Sequence, residues 1–194
     1  MKHSKNEIAH YPEITQCIET HLLSNFRAAG IDLNIYWKNG ELTSRLEELI
    51  SEHPDSCSCM LPYCRSTPPL NLDIFGVVTN GKMFEIVILE VKLRESVGLN
   101  QWSQLIGYNL VSNARYGLLI NIDSGASNRL INILATDVDA SKIIRQKKDG
   151  SQIEHLLGLM RWNTITQNFE YSGLGQIHSL SVLSRALISR FDTK

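Results

Sequence analysis

The chain has 194 residues, 43% of them apolar and 20% charged, which is enough for one domain with a full hydrophobic core. A net charge of −1 and a pI of about 6.6 exclude a protein that holds nucleic acid by bulk positive charge. They leave room for one that gathers acids at a site and keeps basic groups local. No apolar run is long enough to cross a bilayer, and the start MKHSKNEIAHYPEI lacks the apolar stretch of a secretory signal. The expectation is a cytoplasmic protein with no membrane partner.

Ile14, Cys17, Ile18, Leu22 and Phe26 recur at helical spacing, which predicts a helix from Tyr11 to Ala29 stopped by Gly30. A strand from Ile31 to Trp37, a turn at Lys38-Asn39-Gly40 and a helix from Glu41 to His53 follow, with Pro54 closing the helix. Next comes a cysteine-rich stretch, and then two strands around Asn80-Gly81. Ser96 or Asn100 could cap a helix running to Asn113. Tyr116 to Ile122 and Arg129 to Val138 read as strands. Gln152 to Trp162 and Ser179 to Phe191 read as helices, with a Gly-containing loop at Tyr171 to Gly175 between them. Strand, helix and strand in a short span imply a parallel crossover. The expected fold is α/β, a mixed sheet flanked by helices, in a single domain spanning 1–194 with extra helices at 151–194.

The most informative stretch is Asn71 to Tyr108. Asn80-Gly81 suits a two-residue type I′ turn. That turn sets Thr79 opposite Lys82, Val77 opposite Phe84 and Asp73 opposite Ile88, with Glu90 diagonal to Asp73. Residues two apart on a strand share a face, so Asp73, Glu90 and Lys92 converge. The rest of that face is apolar (Phe75, Val77, Phe84, Ile86, Ile88), as is the other (Leu72, Ile74, Val87, Leu89, Val91). Charges on so buried a hairpin need a reason. Two carboxylates can hold Mg²⁺ or Mn²⁺, and a lysine beside them can stabilise developing charge or orient a water. The plainer alternative is a half-exposed ion pair of little energetic consequence. On the following helix Gln101, Gln104 and Tyr108 lie on one face.

Asp73, then Glu90-Val91-Lys92 at a strand end, then Gln104-x-x-x-Tyr108 resembles the PD-(D/E)xK nuclease superfamily, with its restriction-endonuclease-like fold. The Q-x-x-x-Y element resembles the RecB-type branch. The resemblance covers about 40 residues and rests on short motifs. It departs from the pattern in having Leu72 before Asp73 and a long gap between Asp73 and Glu90. It implies that Asp73, Glu90 and the Val91 carbonyl bind Mg²⁺ or Mn²⁺, that Lys92 is catalytic, and that Gln104 and Tyr108 approach the site or the nucleic acid. The family often adds a helical glutamate. Glu19, whose following Leu22, Leu23, Phe26 and Gly30 resemble the first helix of archaeal Holliday-junction resolvases, competes for that role with Glu48.

The implied function is a metal-dependent nuclease cutting phosphodiester bonds of DNA, with RNA not excluded, in restriction, repair, recombination or phage defence. Such a small domain often acts as a homodimer. One alternative is a non-cleaving relative that binds nucleic acid or a protein. The intact trio of Asp73, Glu90 and Lys92 weighs against that. Another alternative is an unrelated α/β protein with structural charges. Lys142, Arg145, Lys147 and Lys148 form the one candidate basic patch, or a solvated helix end and loop. Cys57, Cys59 and Cys64 with His53 have the density for zinc but not the usual spacing. Some RecB-type nucleases bind an iron–sulfur cluster through cysteines that bracket the nuclease motifs, whereas all four here precede Asp73. Free thiols are the expectation.

Overall fold

The computed structural model describes residues 7–147, 150–170 and 173–192. Its chain order is α1 (Tyr11–Ala28), β1 (Asn34–Glu41), α2 (Leu42–Glu52), α3 (Pro54–Cys57), α4 (Leu61–Ser66), β2 (Asn71–Thr79) and β3 (Phe84–Lys92). It continues with α5 (Leu99–Ser112), β4 (Tyr116–Ile122), α6 (Asn128–Thr136), β5 (Lys142–Gln146), β6 (Gln152–Asn163), β7 (Asn168–Phe169), β8 (Leu174–Gly175) and α7 (Leu180–Phe191). The strands form one eight-stranded mixed sheet in the order β1-β2-β3-β4-β6-β5, with β7 and β8 also pairing to β6. β3, β4 and β6 run parallel, while β1, β2 and β5 pair antiparallel. The fold is therefore mixed α/β, a sheet flanked by helices, as the element order implied.

Two apolar layers hold the helices to the sheet. On one face Ile14, Ile18, Leu22 and Phe26 of α1 and Leu183 and Leu187 of α7 pack on Ile74, Val87, Leu89 and Leu118. On the other, Leu42, Leu46 and Leu49 of α2, Trp102 and Leu105 of α5 and Leu130 of α6 pack on Phe75, Val77, Ile86 and Ile88. Each such side chain contributes roughly 1.5–3 kcal/mol when fully buried. α1 ends as its glycine required. Gly30 takes φ 70°, its N–H donates to the Arg27 carbonyl, and Ile31 N–H donates to that of Phe26.

Several local expectations are corrected. Lys38-Asn39-Gly40 is not a turn. β1 runs through it, and the register shifts between Lys38 and Gly40, where Gly40 has φ 101°. Between the pairs Lys38–Phe75 and Gly40–Leu72, Asn39 alone faces both Asp73 and Ile74, so the extra residue of the bulge lies in β2. α2 does end before Pro54, with His53 as its C-cap, but Pro54 also opens the short helix α3. Neither Ser96 nor Asn100 caps α5. Gly98 is its N-cap, with its N–H given to Gln101 Oε1 at 3.0 Å.

Residues 129–138 are not a strand. α6 starts at Asn128, and the Ser127 hydroxyl caps it by accepting from Leu130 N–H. Gln152–Asn163 is not a helix but the longest strand, parallel to β4 and buried along most of its length. The region 151–194 is therefore part of the sheet plus α7, not a set of added helices. The loop expected at Tyr171 to Gly175 falls partly outside the described residues, and Leu174–Gly175 is a short strand.

The hairpin also closes differently. Thr79 pairs with Phe84, Val77 with Ile86 and Phe75 with Ile88, two residues away from the register that a two-residue turn sets. The loop has four residues, because the Asn80 side chain accepts from both Lys82 N–H at 3.0 Å and Met83 N–H at 2.8 Å. Gly81 has φ 82°, whereas Asn80 is not left-handed as a type I′ turn requires. A slip of two keeps the side chains from Ile74 onward on their faces, but the bulge moves Leu72 into the layer of Phe75, opposite Ile74. Continued one step, the register sets Asp73 beside Glu90 rather than diagonal to it.

Candidate active site

Three parallel strands end in one row. Lys92 of β3 pairs with Asn121 of β4, and Asn121 pairs with Arg161 of β6. Ligand clefts in such sheets lie beyond the carboxyl ends of the strands. An open cleft of about 940 Å³ lies there, lined among others by Glu7, Lys92, Arg94, Gln101, Gln104 and Asp123. The buried Asn121 amide fixes its floor. It donates to the carbonyls of Arg94 at 3.0 Å and Gly125 at 2.8 Å, and accepts from Arg94 N–H at 3.3 Å. It thereby ties together the loops that follow β3 and β4.

Behind the cleft-lining Lys92 the three hairpin charges meet. Lys92 Nζ lies 2.7 Å from Asp73 Oδ2 and 2.7 Å from Glu90 Oε1. Asp73 Oδ2 also accepts from Val91 N–H at 3.1 Å. Glu90 is the unusual member. Its side chain is 1% exposed; Oε1 faces the Lys92 ammonium at 2.7 Å, while the buried Oε2 has no hydrogen-bond partner. Burial, and then the charge of Asp73, push its pKa up to about 7 against the pull of Lys92. For Lys92 burial works downward, but Asp73 and then Glu90 more than offset it, so the amine is held protonated.

A fourth charged group, unforeseen in the sequence, completes the cluster. Glu7 Oε1 lies 4.0 Å from Lys92 Nζ, and Glu7 Oε2 accepts from Leu93 N–H at 3.0 Å. Burial raises its pKa. Glu7 sits just before α1, where no periodic pattern marks it; its only signal was an acid ahead of a helix start. Tyr11 on the first turn of α1 joins from the same side. Burial and then the charges of Asp73, Glu7 and Glu90 raise its phenol, which stays protonated.

The other expected positions divide. Gln104 lines the cleft, and its amide donates to the Tyr108 hydroxyl at 2.8 Å, so the two act as one unit. Glu19 and Glu48 are not at the site. Glu19 is half-buried on α1 away from the cleft lining. Glu48 is bound by Arg45 at 2.6 Å and Lys38 at 3.7 Å. The basic stretch is elsewhere too. Lys142 pairs with Glu154 at 2.9 Å, and Arg145 donates to the Leu110 carbonyl at 2.7 Å. Lys147 sits over a separate pocket with Glu85 and Arg115, and Lys148 lies outside the described residues.

The cysteines are free. Cys64 Sγ is 3.5 Å from the Thr43 carbonyl, Cys59 Sγ is 3.8 Å from that of Ser56, and Cys57 is fully buried. Burial raises the thiols of Cys57 and Cys64, which disfavours the thiolate that zinc needs.

Among the described residues no group of three or more His, Cys, Asp or Glu side chains is already arranged around a metal position. The donor chemistry of Asp73 and Glu90 nonetheless suits a hard divalent cation. Both are carboxylates, and the buried Oε2 of Glu90 has no hydrogen-bond partner. Nor is any helix among the described residues long and apolar enough to cross a membrane.

The chain matches no protein-family model, no curated protein and no solved structure. The functional reading therefore rests on this geometry.

Proposed function

We propose that the protein is a divalent-metal-dependent nuclease that hydrolyses phosphodiester bonds of DNA. One observation carries the reading. A fully buried carboxylate, Glu90, has one oxygen without a hydrogen-bond partner and shares a protonated lysine with a second acid, and that lysine lines an open cleft. An arrangement built only for stability would satisfy that oxygen. Asp73, Glu90 and the Val91 carbonyl would hold Mg²⁺ or Mn²⁺. When bound, such an ion lowers the pKa of a water and neutralises phosphoryl charge.

The chain's own groups take the remaining tasks. The raised pKa of Lys92 keeps its proton on Nζ, so it serves as a donor and positive charge toward a phosphoryl oxygen rather than as a base. Glu7 holds the Leu93 N–H and, with it, the exit of β3. Gln104, oriented by Tyr108, offers an amide that can both donate and accept toward a phosphate or base. Arg94 supplies a cation on the rim.

The test uses plasmid, linear and single-stranded DNA and an RNA of matched sequence, with Mg²⁺, Mn²⁺ or EDTA. Wild type is compared with Glu90→Ala and Lys92→Ala. Metal-dependent cutting abolished by both substitutions is the expected result. Cutting that persists in both variants sinks the site. Binding without cutting favours the non-cleaving alternative, in which Lys92 merely neutralises its two acids.

A further inference from the structure

The β6–β7 hairpin ends in Thr164-Ile165-Thr166-Gln167. Its tip carries Ile165, which is 92% exposed, well beyond the next large apolar side chain, Val138 at 65%. Single exposed apolar residues are ordinary on protein surfaces. This one is held with unusual firmness.

Thr164 donates to both oxygens of Asp123, from its N–H at 2.8 Å and its hydroxyl at 2.6 Å. Asn163 Oδ1 accepts from Ile165 N–H at 2.9 Å and Thr166 N–H at 3.0 Å. On the far side Gln167 reaches Glu13 of α1 at 3.5 Å, and Cys17 reaches Asn168 at 3.6 Å. The tip is thus anchored to β4 on one side and α1 on the other. Its anchor is also part of the cleft, because Asp123 lines it together with Lys92. No residue of the tip is charged, so no side chain on it repels a phosphate backbone.

The geometry points to Ile165 as an apolar wedge that enters the base stack of DNA lying in the cleft. The inference rests on the nuclease reading and narrows its substrate class. A rigid apolar side chain separates a base step at a cost of a few kcal/mol in continuous duplex. The cost is least where the step is already disrupted. The preferred substrate is therefore duplex DNA with an open step, at a flap, a branch or a mismatch. The Asp123–Thr164 anchor sets the distance between that step and the bond at Lys92.

The test separates unstacking from cutting. DNA carrying 2-aminopurine at a branch point is bound in EDTA and its fluorescence read. In parallel, cutting of branched, continuous and single-stranded DNA is timed with Mg²⁺ or Mn²⁺. Wild type and Ile165→Leu are expected to raise the fluorescence several-fold and to cut branched DNA about tenfold faster than continuous duplex. Ile165→Ser should lose the rise and the preference while cutting single strands as before. Its exposure leaves the fold indifferent to the change, which an unaltered melting temperature confirms. If wild type gives no fluorescence rise, or if Ile165→Ser matches wild type in signal and preference, the wedge is overturned. Unstacking without any cutting would instead support the wedge and sink the nuclease reading.

Discussion

Strand β3 buries a carboxylate near each end, and the two are treated in opposite ways. Glu85, near the start, meets Arg190 at 2.6 Å and Arg115 at 3.4 Å, and the Arg190 contact is a true hydrogen bond. Glu90, near the end, has an ammonium 2.7 Å from Oε1, but its Oε2 has no hydrogen-bond partner, and a second carboxylate, Asp73, shares the same lysine. Burial raises the pKa of both acids. The difference lies in the partner. A guanidinium fork on a helix that closes the core completes a structural pair. A single ammonium shared between two acids leaves one buried Glu90 oxygen without a partner.

The largest contrast is expected in activity. Glu90→Ala should lower metal-dependent cutting by about 10³-fold or more, by analogy with the loss of a principal electrostatic group. Arg190→Ala should leave cutting within a few-fold at a temperature where it is folded. Equal loss in both, measured on one labelled duplex, would erase the distinction between the two ends.

Stability should then divide the ends by metal response. Arg190→Ala leaves Glu85 buried with only the more distant Arg115, and Lys92→Ala leaves Asp73 and Glu90 facing each other. Each should cost on the order of 2–3 kcal/mol, which lowers the melting temperature by several degrees in a chain of this size. Millimolar Mn²⁺ should restore Lys92→Ala and not Arg190→Ala. Thermal melts with Mn²⁺ and with EDTA decide it, and rescue of both or of neither counts against a cation position at Glu90.

A pH experiment sharpens the comparison further. Glu90 has its pKa raised in the fold from 4.5 to about 7. Between those values the native state binds more protons than the unfolded chain, so stability falls as pH rises through the window. The benefit is complete below pH 4.5 and gone above about 7. Glu90→Gln should remove this contribution and be more stable than wild type at pH 8 in EDTA, by an amount on the order of 1–3 kcal/mol. The observable is the wild-type minus variant difference from pH 4.5 to 8. A difference that does not change across the window would refute the assignment.

The smallest effects concern the glutamates outside the hairpin. Glu7→Gln should slow cutting about tenfold, since it loosens the exit of β3 and removes one charge beside Lys92. Glu19→Gln and Glu48→Gln should change it by less than about twofold, as expected for surface positions off the site. A larger loss in either would reinstate that residue.

What the sequence disclosed follows from how locally each feature is encoded. The face shared by Asp73, Glu90 and Lys92 was legible because strand alternation survives an error in the turn. The pairing itself was not, because Asn80 spends its side chain on two backbone donors and lengthens the loop. β6 was misread for a physical reason. Ile153, Leu156, Leu157 and Met160 have helical spacing, but a central parallel strand buried on both faces can carry the same pattern. α6 was hidden by β-branched residues, and only the Ser127 cap and the Leu130–Leu134 spacing betray it. Glu7 was out of reach because its contact with Leu93 spans 86 positions of chain.

The two-residue displacement of the hairpin pairing gives the site a tolerance rule based on parity. Any slip of β2 against β3 by an even number of residues keeps Asp73 on its face and moves it about 7 Å along the ladder. A slip by one would turn that carboxylate to the opposite face of the hairpin, away from Glu90 and Lys92. Across the tip at Asn80 and Gly81, sequence drift that lengthens the loop while preserving the pairing is therefore harmless. A single-residue deletion within β2 instead separates a nearly intact fold from its chemistry.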